Sequence, residues 1–164
     1  METSRKNFKL TLVYGLIIVV GVVLFEAVFK LISYSLCQEF GAYYLLPGEF
    51  LKLYADYNFG IANMNVSPIA LMIILAVVAL FFLFLGSKVD FKKAPLLSVS
   101  LFLMSGGLIA NLVDRIATNG YELTYISVTF GTSSIPSFNF SHIFFVLGAL
   151  LLIVSAFRCK KEVK

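Results

Sequence analysis

The chain has 164 residues, of which 60% are hydrophobic and 13% charged, with a mean hydropathy of +0.94. A soluble domain of this length cannot hide so much apolar surface, so an integral membrane protein is the class that remains. The net charge of +4 is small, and its placement matters more than its size. Arg5, Lys6 and Lys9 precede the first apolar run, Lys88, Lys92 and Lys93 sit between the second and third, and Arg158, Lys160, Lys161 and Lys164 follow the last. By the positive-inside rule these clusters are expected in the cytoplasm, with both termini inside. The basic tail reads as a topology anchor, and no nucleic-acid partner is expected.

In chain order, residues of about 10–36 read as the first membrane helix, apolar without interruption to Phe25 and lacking a small-residue cleavage site. Near its outer end Glu26 and Lys30 stand four apart, which stacks acid and base on one helix face in the favourable order. That pair serves either as a plain structural ion pair or as part of a site. Residues of about 37–67 lose the long apolar run and contain several tyrosines, Gly41, Pro47, Gly48 and Gly60. Stretches such as EFLKLYADY alternate well enough for short strands. The spacing predicts a small β-rich layer outside the membrane, ending in Asn58-Phe59-Gly60-Ile61-Ala62-Asn63.

A second apolar span follows at about 69–85, then the loop SKVDFKK, then a third span at about 96–116. The third ends in Asn111, Asp114 and Arg115, which helical spacing places within about one turn of each other. Polar side chains at the end of a membrane helix are costly unless paired or facing a wet cavity. A second outer segment, about 118–136, holds the β-branched and aromatic run YELTYISVTF, and a fourth span covers about 139–157. Cys37 and Cys159 fall at opposite ends of this arrangement and cannot pair within one chain, and no metal-ligand spacing is present. Glu26, Lys30, Asn58, Asn111, Asp114, Arg115 and His142 come from separate segments but all lie toward one membrane face. Ionisable groups gathered in that way point to a site there.

With these residues in order, the chain resembles the lipoprotein signal peptidase (signal peptidase II) family. Glu26-Ala-Val-Phe-Lys30 is similar to the family's first box, an Asp and a Lys four apart. Asn58-Phe-Gly60-Ile-Ala62 matches its Asn-x-Gly-x-Ala box, and Gly106-Gly107-Leu-Ile-Ala110-Asn111-Leu-Val-Asp114-Arg115 its Gly-Gly-x-x-Gly-Asn-x-x-Asp-Arg box. Phe138-Asn139-Phe140-Ser141-His142 matches the last box, Phe-Asn-x-Ala-Asp. The resemblance implies an all-α membrane protein with a small β component, in which four transmembrane helices carry an extracytoplasmic β-cradle. It also implies a bacterial inner-membrane aspartic peptidase, acting as a monomer without cofactor or metal, whose ligand is a prolipoprotein signal peptide beside its diacylglyceryl-cysteine.

The departure falls on the chemistry. The resemblance places the two catalytic aspartates at Thr124 (or Leu123 without an insertion) and at His142, and neither is a carboxylate. An aspartic dyad works because two nearby carboxylates share a proton and their pKa values split. Glu122, two residues before Thr124, would share its face on a strand at a displacement of about 7 Å, and Asp114 is a second possible substitute. The expectation is therefore a divergent member. By the resemblance, Glu26, Lys30, Asn58, Gly60, Asn111, Asp114, Arg115 and Asn139 form its substrate-binding shell. It would bind prolipoprotein signal peptides or another lipid-anchored helix with impaired or no proteolysis. The alternative is an active peptidase rebuilt on Glu122, Asp114 or His142; a small transporter is disfavoured because no inverted repeat is visible.

Overall fold

The computed structural model describes residues 2–46, 50–58 and 67–162. Its elements are α1 (Glu2–Phe40), β1 (Tyr43–Tyr44), β2 (Leu51–Asn58), α2 (Pro68–Lys88), α3 (Pro95–Ala117), β3 (Glu122–Phe130), β4 (Ser133–Ser134) and α4 (Phe140–Glu162). Among the described residues four helices are long and apolar enough to cross a membrane. Proline opens α2 and α3, where the missing N–H would have no intrahelical partner in any case. Behind α1, Gly41 takes a left-handed φ of 73° and its N–H bonds back to the Cys37 carbonyl, which ends the helix.

α3 is the hub. Of its membrane-crossing window 56% is buried, against 22%, 17% and 11% for α1, α2 and α4, so the other three helices pack around it and turn their remaining surface to lipid. Small residues allow the close approach that apolar solvent cannot drive. The Phe102 ring, fully buried, lies against Gly15 of α1 and Gly86 of α2, where a Cβ at Gly15 would stand 2.3 Å from the ring. On the other side, a Cβ at Gly107 would come within 2.6 Å of the Ser141 carbonyl, which sets the α3–α4 separation at the level of the site. Ser105, also buried, donates to the Ala79 carbonyl of α2 at 3.0 Å.

Beyond the helix ends the strands form one antiparallel sheet in the order β1-β2-β3-β4. β2 and β3 pair from Leu51↔Val128 to Asn58↔Glu122, with an irregularity between Leu53 and Asp56. A bridge between Ile126 and Phe138 then leads the chain from the sheet into α4. The helices exceed the sequence expectation at their polar ends. α1 runs from residue 2 to 40 rather than about 10 to 36, so Cys37 is helical, and α4 continues to residue 162 rather than about 157. Hydropathy marks where the apolar run stops, whereas the backbone ladder continues into the polar flank until a glycine or a chain reversal ends it. Gly60 and the rest of its box after Asn58 lie outside the described residues.

Candidate functional site

The site forms where the last turn of α3 meets the start of β3 and the start of α4. A tight reversal after α3 makes this possible, because Asn119 and Gly120 both adopt positive φ, 56° and 104°. The Gly120 N–H bonds to the Arg115 carbonyl at 2.7 Å, and Arg115 Nη1 returns a bond to the Gly120 carbonyl at 2.9 Å. Such a turn needs residues that tolerate the left-handed region, which Asn and Gly do. It folds Glu122 back over Arg115.

Glu122 is the centre of the site. Its Oε2 accepts from Arg115 Nη2 at 2.8 Å, and both side chains are almost fully buried. Its Oε1 accepts from Asn139 Nδ2 at 2.8 Å and lies 3.1 Å from His142 Nε2. Asn139 also reaches the Leu123 carbonyl at 3.2 Å and Asn111 Oδ1 at 3.4 Å, while its own Oδ1 caps α4 by accepting from the His142 N–H at 3.2 Å. Two helices and a strand are thus held on one carboxylate. The His142 imidazole keeps 40% of its side chain exposed, so it is the part of this network that solvent or a ligand can reach.

A second network runs beside the first. Lys30 bridges Glu26 Oε1 at 3.2 Å and Asp114 Oδ2 at 2.8 Å, and the same Asp114 oxygen accepts from the Leu123 N–H at 2.7 Å. Glu26, 2% exposed, extends its Oε2 to the Ser141 N–H of α4 at 3.0 Å and to the Tyr125 hydroxyl at 3.2 Å. Tyr125 in turn accepts from the Phe140 N–H at 3.3 Å. Burial, reinforced by the neighbouring Glu26 carboxylate, pushes the Tyr125 phenol well above its ordinary value, so it remains a donor. The first N–H groups of α4 are therefore satisfied by Tyr125, Glu26 and Asn139, each from a different segment.

The structure brings together Glu26, Lys30, Asn111, Asp114, Arg115, Glu122, Asn139 and His142. Asn58 reaches the site through its carbonyl, 3.5 Å from Arg115 Nη1. Thr124 does not join His142. Its hydroxyl, fully buried, bonds to the Asp56 carbonyl at 3.2 Å and to Ser137 Oγ at 2.8 Å, and Ser137 donates to Asp56 Oδ2 at 2.8 Å. The side chain beside His142 is that of Glu122, placed there by the strand register, whereas Thr124, one of the positions the resemblance assigns to the dyad, turns to Asp56 and Ser137. Asp114 is held by Lys30 and by the Leu123 N–H. Sequence reasoning missed Tyr125, Ser137 and Asp56, whose spacing in the chain carries no signal of their contacts. Among the described residues no group of three or more His, Cys, Asp or Glu could hold a metal ion.

Four membrane-capable helices around a central α3, a small antiparallel sheet over one end and a buried polar junction beneath it define a membrane protein of the signal peptidase II type. Comparison agrees on the family. The family described as signal peptidase (SPase) II matches residues 16–158, and the chain belongs to it. A lipoprotein signal peptidase of Chlamydia felis is 28% identical over 87% of this chain and 77% of its own length. A lipoprotein signal peptidase of Acinetobacter baumannii is 37% identical over 71 residues, and this matched stretch spans 43% of the chain and 40% of the relative. The fold is shared with two bacterial membrane enzymes solved by the in meso method. One has a TM-score of 0.74 at 22% identity and 92% coverage of both chains, and the other a TM-score of 0.71 at 24% identity, covering 87% of this chain and 92% of its own.

Proposed function

We propose that this protein binds the signal-peptide helix of a lipoprotein precursor, beside its diacylglyceryl-cysteine, and does not cleave it by a two-carboxylate route. The membrane would be the bacterial cytoplasmic membrane, with the site facing outward. One observation carries the reading. The carboxylate nearest the exposed imidazole, Glu122, has both oxygens held by Arg115, Asn139 and His142. A carboxylate in that state is a strut and has no shared proton to exchange. The other two acids of the junction, buried Glu26 and half-buried Asp114, are separated by the Lys30 ammonium that contacts both. Of the polar shell that the resemblance assigns to ligand positioning, Glu26, Lys30, Asn111, Asp114, Arg115 and Asn139 stand together, and the names of the relatives support a lipoprotein substrate class.

The test is capture of a diacylglyceryl-modified signal peptide by the full chain in nanodiscs, beside the same peptide without lipid. The expected result is retention of the lipidated peptide, falling about tenfold in Asn111→Ala, the loss of roughly one buried polar contact. Equal retention of an unrelated apolar helix would overturn the reading.

The contact between His142 and Glu122 favours a second reading. A carboxylate on Nε2 fixes the imidazole tautomer and leaves Nδ1 as an acceptor, the arrangement of a general base. In that reading Nδ1 takes a proton from water as its oxygen adds to the scissile carbonyl, and the same proton passes to the leaving amine. Cleavage that depends on His142 distinguishes the two.

A further inference from the structure

At the end of the bundle opposite the site, a pocket of about 160 Å³ opens between the first turns of α1 and the last turn of α2. Its polar lining is Asn7, Thr11, Ser87, Lys88 and Asp90. The walls are fixed by specific contacts. Asn7 Nδ2 donates to Asp90 Oδ2 at 2.9 Å, the Phe91 N–H donates to the buried Thr11 hydroxyl at 3.1 Å, and the Tyr14 and Phe91 rings stack at 4.6 Å. The Lys92 N–H holds the other Asp90 oxygen at 3.0 Å.

The pocket is dipolar. Asp90 and the final carbonyls of α2 make one side negative, since a helix C-terminus carries partial negative charge. Lys88 makes the rim positive, its ammonium standing 5.0 Å from the centre of the Phe84 ring, and Lys9, Lys92 and Lys93 are exposed nearby in sequence. A lone anion would meet Asp90 and the helix end, and a lone cation would meet the lysines. A ligand with an ammonium and a phosphate a few bonds apart satisfies both sides. The depth is also defined, because Thr11 sits where the apolar run of α1 begins and exposed Phe8, Val13 and Tyr14 flank it. That is the level at which phospholipid headgroups lie.

We propose that this pocket seats the headgroup of an ethanolamine phospholipid, its ammonium on Asp90 and its phosphate on Lys88. A primary ammonium has N–H groups for the carboxylate, which a choline headgroup lacks, and a glycerol headgroup has no cation to place there. The inference stands apart from what the opposite site binds.

The test is native mass spectrometry of the full chain in detergent, titrated separately with phosphatidylethanolamine, phosphatidylcholine and phosphatidylglycerol of identical acyl chains. Soluble phosphoethanolamine serves as competitor. Ethanolamine lipid should be retained about tenfold over the other two, as one charge-assisted hydrogen bond allows. That preference should vanish in Asp90→Asn, which keeps an acceptor for Asn7, whereas Lys88→Gln should weaken retention of all three lipids alike, because each carries the phosphate. If Asp90→Asn fails to fold, the ranking of the three lipids on the unaltered chain together with their common loss in Lys88→Gln decides. Equal retention of the three lipids, preference for the anionic one, unchanged preference in folded Asp90→Asn, or unchanged retention in folded Lys88→Gln would overturn the proposal. Competition by soluble phosphoethanolamine at concentrations matching the lipid would reassign the pocket to a free metabolite and overturn it as well.

Discussion

Glu122 shows what a single carboxylate can hold when it is fully partnered. Truncating it to Ala takes the carboxylate away from the buried Arg115 guanidinium, which costs about 3–5 kcal/mol. A melt of Glu122→Ala in detergent should show this loss, whereas Glu122→Gln, which keeps an acceptor for Arg115, should lose less. A fall no larger than that of an exposed-residue variant would show that Glu122 is not the strut described. Tyr125 gives a pH dependence with a definite sign. Its folded pKa is raised, so its contribution is fully present below the unfolded value near 10 and is lost as pH rises beyond it. Stability measured from pH 8 upward should therefore decline above about 10, and less steeply in Tyr125→Phe. At this scale the helical part of the site was legible, because Glu26 with Lys30 and Asn111 with Asp114 and Arg115 are fixed by helix periodicity. The partner of His142 was not. Whether Thr124 or Glu122 faces it depends on the left-handed turn at Asn119-Gly120 and on the β2–β3 register, which are tertiary outcomes.

Among the elements, α3 decides the geometry, and its glycines are the points at which it can be disturbed. In Gly107→Leu the new side chain meets the Ser141 carbonyl and the backbone of Phe145, neither of which can move without moving α4. The expected cost is about 1–3 kcal/mol or more, with the His142 side chain displaced from Glu122. The single histidine of the chain makes the second effect readable as a change in its imidazole nitrogen resonances. Unchanged resonances would mean that α4 is not positioned by this contact. The four helices, the two outer segments and the strand 122–130 could be read from apolar run length and β-branched content. Their ends could not. α1 exceeds its apolar core at both ends, since helical hydrogen bonding does not stop where hydropathy does.

For the whole molecule, the arrangement amounts to a lipid-facing frame of four helices with a polar junction clamped under a sheet. Membership of the signal peptidase II family fixes the frame. Inside the junction the accessible imidazole of His142 has one carboxylate beside it, that of Glu122, held by Arg115, and the proposed lack of cleavage rests on that pairing, since a dyad would need two acids there. The most direct test of that claim is a gel-shift cleavage assay on a diacylglyceryl-modified prolipoprotein, using the purified chain beside a family enzyme with both aspartates and a His142→Ala variant. The substrate should stay bound and uncleaved by this chain while the intact enzyme converts it. Cleavage by this chain that disappears in His142→Ala would contradict the account and assign the chemistry to the imidazole held by Glu122.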